Sequence, residues 1–209
     1  MQVYILKESN SDSRVAASPD TVKKMKDWGL NVVIQDNAGL KSNFSNEEYI
    51  KSGAIISNEI TDISKSDLIL KINKPNDDEI ALMNEGSVLI ASLDPYNNSE
   101  TLNKLKDKGV TSFAMELMPR ITRAQSMDIL SSQSNLAGYK AVIDATYLFN
   151  KAMPMMMTAA GTIAPAKVMV FGAGVAGLQA IATAKRLGAI VSATDVRMAA
   201  KEQVESLGG

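Results

Sequence analysis

One phrase recurs along the chain: an amphipathic polar stretch, a glycine, and then a short apolar run. It reads Trp28-Gly29 before Val32-Val33-Ile34, Ser52-Gly53 before Ala54-Ile55-Ile56, and Glu85-Gly86 before Val88-Leu89-Ile90. It returns at Lys108-Gly109 before Val110, and at Leu187-Gly188 before Ala189-Ile190-Val191. A glycine just past a helix supplies a left-handed cap, and the β-branched run after it is a buried strand. Helix starts agree with this. Ser18-Pro19-Asp20 places a capping Ser before Pro at the first helical position, and Asn43 to Glu48 offers capping residues followed by acids. Strands alternating with helices predict an α/β fold with mostly parallel sheets.

The pattern changes character after residue 133. Residues 1–119 are polar and rich in Lys and Asn, whereas 152–184 carry one charge, Lys167. Between them the spacing of Leu136, Ala137, Ala141, Val142, Ala145, Leu148 and Phe149 predicts a long helix over Ser134 to Lys151. Ala152 to Pro165, with Met153, Met155, Met156 and Met157, reads as a buried crossing in which the methionines pack. The organisation expected is an N-terminal α/β domain over 1–133, a linking helix and crossover over 134–165, and a nucleotide-type domain over 166–209. That last domain has too few strands for a doubly wound sheet, so it is expected to be truncated at its C-terminal end.

Composition narrows the chemistry. The 209 residues are 45% hydrophobic and carry a net charge of −1, without the basic excess of a nucleic-acid binder. There is no His and no Cys, which removes Ser-His-Asp and Cys-His triads, the common zinc sites and disulfides. No metal site is expected. The N-terminal run meets charge at Lys7, too early for a signal-peptide core. The 17 uncharged residues from Val168 to Ala184 hold three glycines and read as strand, turn and helix rather than a membrane span.

That stretch contains the most specific motif. Val168-Met169-Val170-Phe171 is followed at once by Gly172-Ala173-Gly174-Val175-Ala176-Gly177, a helical stretch to Leu187, and a strand from Ala189 to Thr194 ending at Asp195. Gly172 allows the tight turn, Gly174 lets the backbone approach a pyrophosphate, and Gly177 lets helix and strand pack closely. Amides at Val175, Ala176 and Gly177 open the helix and face the phosphates. Asp195, 21 residues past Gly174, stands where a carboxylate accepts hydrogen bonds from an adenosine ribose and repels the extra phosphate of NADP. Val196 and Arg197 follow it as candidate cofactor contacts; Arg197 would frame the adenosine pocket, tolerate a phosphate there, or simply be solvated. The expected fold is therefore two Rossmann-like domains, the second binding NAD(H).

Arg120-Ile121-Thr122-Arg123-Ala124-Gln125-Ser126-Met127-Asp128, the following Ser131-Ser132-Gln133-Ser134-Asn135, Pro154 to Thr162 and the glycine loop together carry a resemblance. They are similar to the NAD(H)-binding domain of the alpha subunit of proton-translocating NAD(P) transhydrogenases, which are related to alanine dehydrogenases. The likeness is dense from Ala114 to Gly209; earlier, Lys7-Glu8 and Arg14 to Pro19 echo the family's opening. It implies that Arg120, Gln125, Asp128 and Ser131 hold the nicotinamide end of NAD(H) against an NADP(H)-binding domain on a partner subunit. It also implies a homodimer, docked peripherally on the cytoplasmic face of the inner membrane against membrane-embedded subunits that translocate protons. Hydride would pass directly between nicotinamide rings, a reaction that needs placement rather than a general base. Without the resemblance the same segment reads as a polar loop with helix-capping Ser and Asp.

Two other readings stand beside it. One is a non-catalytic NAD-binding fragment. The other is an amino-acid dehydrogenase like alanine dehydrogenase, whose relatives bind substrate through a Lys-x-Lys-Glu-Pro-like stretch and use a catalytic His. Here that stretch is Lys71-Ile72-Asn73-Lys74-Pro75, with Asn73 in place of the second lysine and no His in the chain. Lys74 would substitute only by a register shift.

Overall fold

The apolar runs of the recurring phrase form strands or, at Val110, lead into one. In the computed structural model, which describes residues 1–9 and 11–209, the chain divides into two units, Met1–Met127 and Asp128–Gly209. The first unit holds β1 (Gln2–Ile5), β2 (Asn31–Gln35), β3 (Ile55–Ser57), β4 (Leu68–Leu70), β5 (Val88–Ala91) and β6 (Thr111–Ala114). They form one sheet in the order β3-β2-β1-β4-β5-β6, every pair parallel. Val3 lies opposite Val32 on one side and Leu68 on the other.

Helices cover both faces, so the central strands are apolar without alternation. Tyr4, Leu6, Ile69 and Leu89 pack on one side, while Val3, Ile5, Val32 and Ile34 pack on the other. The helices are α1 (Pro19–Asp27), α2 (Asn46–Lys51), α3 (Asp77–Leu82) and α4 (Ser99–Asp107). Their starts follow from local chemistry. Ser18 Oγ accepts from the Thr21 N–H ahead of α1, while α2 and α3 open with reciprocal Ser45–Glu48 and Asn76–Glu79 capping boxes. The glycines that end the polar stretches are left-handed, as at Gly29 (φ +81°) and Gly188 (φ +86°). Strand order reverses between β1 and β4, and this opens a crevice at their carboxyl ends.

The second unit holds α5 (Ile129–Leu148), β7 (Met156–Thr158), β8 (Gly161–Ile163), β9 (Lys167–Phe171), α6 (Val175–Arg186), β10 (Ile190–Thr194) and α7 (Ala200–Ser206). β9 and β10 pair in parallel, with Val168 opposite Val191. Its core gathers Val142, Met153, Ala166, Ile181, Ala184 and Val191.

Two expectations need correction. The long helix starts at Ile129 rather than Ser134, because Asp128 caps it by accepting the Ser131 N–H. The cap carries Ser131, Ser132 and Gln133 into the helix despite their polarity. The crossing at Ala152 to Pro165 is not buried. Met153 is inside, but Met155, Met156 and Met157 are exposed on or beside the antiparallel β7–β8 hairpin. Its three-residue strands pair with each other, and their side chains stay outside the core cluster.

Candidate functional site

β9 delivers the chain into the glycine loop. Gly172 is left-handed (φ +93°) and its N–H donates to Thr194 O at 2.7 Å, tying the loop to the end of β10. A Cβ on Gly177 would lie 1.8 Å from Gly172 O, so helix and loop meet at a separation that only glycine permits. Gly174 is the N-cap of α6 and supplies no side-chain cap to the first turn. The opening N–H groups at Val175, Ala176 and Gly177 therefore face outward at the positive end of a twelve-residue helix. A Cβ on Gly174 would meet nothing within 4 Å. Backbone donors, a helix dipole and open approach over Gly174 together fit a diphosphate.

Asp195 closes the other side. Its Oδ2 accepts the Ala173 N–H at 2.7 Å, and its Oδ1 accepts the Arg197 N–H at 2.8 Å and Arg197 Nε–H at 3.0 Å. Arg197 also reaches Ala173 O at 3.3 Å. The Arg197 guanidinium, then the two backbone N–H groups, hold the Asp195 carboxyl well below the usual carboxylate range. The sequence places Asp195 beside the glycine loop. It does not reveal that Arg197, expected to frame a pocket, is an ion-pair partner of Asp195. A cleft of about 380 Å³ opens beside this pair, lined among others by Thr194, Met198, Lys201 and Glu205. Val196 is fully exposed.

The remaining candidates divide between the units. Arg120 and Gln125 belong to the first, on the segment after β6 that includes 3-10 turns at Met115–Leu117 and Thr122–Met127. Ala124 is the buried peg of that segment, and Arg120 and Gln125 are exposed around it. Asp128 and Ser131 belong to the second unit and are brought together: Ser131 Oγ–H donates to Asp128 Oδ2 at 2.6 Å, beside the capping N–H bond.

The crevice at the β1–β4 reversal is filled by the chain's own groups. Lys71 is buried and pairs with Glu79 at 2.5 Å. Glu8 accepts the Ile72 N–H at 2.6 Å, while Asn73 Nδ2 donates to Glu8 at 3.0 Å and to Asp12 at 2.8 Å. The lysine of the alanine-dehydrogenase-like stretch is thus neutralised internally rather than offered to a carboxylate. Glu79 announces itself in sequence only as a helix-capping acid, and its partner is set by the packing of α3 against the sheet.

Comparison with known proteins gives the family. The family model "Alanine dehydrogenase/PNT, N-terminal domain" matches residues 4–137, and the corresponding C-terminal domain model matches residues 141–209. The chain is 53% identical over 216 residues to the first part of the NAD(P) transhydrogenase alpha subunit of Rhodospirillum rubrum, covering 100% of this chain and 56% of that protein. It is 30% identical to alanine dehydrogenase of Bacillus subtilis over 203 residues, covering 96% and 53%. A crystal structure of transhydrogenase from Sinorhizobium meliloti superposes with a TM-score of 0.97 at 57% identity, covering 100% of this chain and 63% of that one. The chain spans about half the length of the curated relatives it matches. With both domain models matched in order and the fold shared throughout, this chain belongs to the alanine dehydrogenase/PNT family.

Proposed function

We propose that the chain is the NAD(H)-binding part of a proton-translocating NAD(P) transhydrogenase. The observation that carries this reading is the uncapped N-terminus of α6, with open approach over Gly174 and Asp195 bonded to the loop beside it. Gly172 to Gly177 would hold the pyrophosphate, and Asp195, with Val196 and Arg197 beside it, the adenosine ribose. For the ribose hydroxyls to donate to Asp195, they would share or displace the Arg197 contacts. The carboxylate's depressed pKa keeps it an acceptor at any physiological pH.

Bound nicotinamides supply hydride donor and acceptor directly, so this chain's residues have only to position one ring and exclude water. Arg120, Gln125, Asp128 and Ser131 would do so through guanidinium, amide, carboxylate and hydroxyl groups, in keeping with a chain that has no His. Among the described residues no helix is long and apolar enough to cross a membrane. On the same reading, proton translocation and the NADP(H) site fall to partner subunits, with this chain as a homodimer on the cytoplasmic face of the inner membrane. The buried Lys71–Glu79 pair argues against amino-acid dehydrogenation, because a substrate carboxylate would have to compete with Glu79 for the lysine.

The reading is tested by fluorescence titration with both cofactors and by hydride transfer in the presence of an NADP(H)-binding partner. NADH should bind much more tightly than NADPH. Asp195→Ala should weaken NADH roughly ten- to a hundredfold, the loss of charge-assisted hydrogen bonds. Equal affinities for the two cofactors sink the assignment. NADH binding without any transfer would instead favour a non-catalytic NAD-binding role.

A further inference from the structure

The segment carrying Arg120 and Gln125 starts beside a carboxylate that clamps the neighbouring strand. Glu116 lies in the 3-10 turn directly after β6 and reaches across to the end of the neighbouring strand, β5. Its Oε1 accepts the Leu93 N–H at 2.8 Å and the Asp94 N–H as well. Leu93 is buried and Asp94 is a non-glycine residue in the left-handed region (φ +45°), so this oxygen holds an awkward backbone bend in place. One oxygen of Glu116 thus locks the exits of β5 and β6 together, two residues before Met118 and four before Arg120.

The other oxygen is idle. Among the described residues Glu116 Oε2 is a side-chain oxygen that is buried without a hydrogen-bond partner. A buried acceptor left unpaired is costly, and native structures rarely leave one so. The fold does not require it. A glutamine would satisfy both backbone N–H groups through its one carbonyl oxygen, so the strand clamp uses half of the carboxylate. The unused half sits at the root of the segment that carries Arg120 and Gln125.

We propose that Glu116 is a positioning residue for nicotinamide transfer: Oε2 accepts an N–H of the 118–127 segment when NADH is bound. This rests on reading Arg120 and Gln125 as nicotinamide-facing. Hydride transfer is steep in distance, so a segment held about 1 Å out of place slows the chemical step without loosening the remote adenosine and pyrophosphate.

Glu116→Gln separates the two oxygens. Its carbonyl must take the Oε1 position, because an NH₂ there would oppose two N–H donors, and so the acceptor at Oε2 becomes a donor. In the assembled transhydrogenase, the variant should melt like the wild type and bind NADH within about threefold. Single-turnover transfer should fall at least about tenfold. Amide hydrogen exchange over residues 118–127 should slow on adding NADH in the wild type and not in the variant. Gln125→Asn, measured alongside, tells two failures apart. If it slows transfer while Glu116→Gln does not, the role of Glu116 is overturned and the segment's role stands. If neither slows transfer, the reading of the segment itself fails. A joint loss of melting temperature and NADH affinity in Glu116→Gln makes Glu116 purely structural and overturns the proposal. Should the variant not fold, absence of NADH-induced protection in the wild-type segment overturns it equally.

Discussion

Tyr49 is a buried phenol whose only polar atom is spoken for: its hydroxyl donates to Ala17 O at 2.8 Å, beneath the edge-on ring of Phe44. Burial pushes its pKa up to about 12. A raised pKa means that the folded state prefers the protonated phenol. The corresponding stability is complete below the unfolded tyrosine value, about 10, and is lost as pH rises through about 12. Tyr49→Phe should cost about 1 kcal/mol at neutral pH, the worth of one buried hydrogen bond. It should also flatten the decline in melting temperature between pH 10 and 12, and remove the last-titrating phenolate from the absorbance curve. A decline as steep in the variant as in the wild type would count against the assignment. At this scale the sequence is only partly legible. Asp195 can be placed by its distance from the glycine loop, because that distance is a property of the βαβ unit. Arg197 turning back onto it, Lys71 turning onto Glu79, and Oε2 of Glu116 left idle all depend on which side chain reaches which in three dimensions. Linear spacing does not encode that.

Elements are more legible, because periodicity and caps act locally. Glycine followed by a β-branched run locates β2, β3, β5, β6 and β10, and Ser18-Pro19 locates α1. Apolar periodicity misses the start of α5, because its first turn is polar and is held by the Asp128 cap rather than by an apolar stripe. The hairpin is hidden because a methionine run reads as core, and nothing in the sequence says that Met155, Met156 and Met157 stay exposed. One glycine gives no sequence signal at all. A Cβ on Gly138, in the middle of α5, would lie 2.1 Å from Ala176 O, which places the first turn of α6 directly against α5. Backbone cannot yield as a flexible side chain would. Gly138→Ala should therefore push the two helices apart and destabilise the second unit by roughly 1–3 kcal/mol, even though alanine is the better helix former. Because α6 opens the diphosphate site, NADH affinity should fall with it. A chemical-denaturation midpoint equal to or above that of the wild type would show that the helices separate freely.

For the chain as a whole, the decisive feature is apolar surface without cover in the second unit. β9 buries one face toward α6, while Met169 and Phe171 on its other face are 50% and 81% exposed. An apolar groove of about 420 Å³ runs between β9 and α5, lined by Ala145, Phe149, Val168, Val170 and Phe171 among others. Tyr147 and Leu148 at the end of α5 are 87% and 73% exposed. Among the described residues β9 is hydrogen-bonded to a strand on one edge alone, so its other edge is an open strand edge. Contiguous apolar area of this kind beside an open strand edge drives association. These 209 residues by themselves should bind a hydrophobic dye such as anilinonaphthalene sulfonate strongly and self-associate in a concentration-dependent way. Replacing Phe171 with Ser should lower both signals without touching the first unit's sheet. A polypeptide extended to the relatives' length should lose the dye signal and gain cooperative melting of the second unit. A dye-silent, monomeric 209-residue chain would mean that the groove closes on itself, and the outer face of β9 would then have to be counted as core.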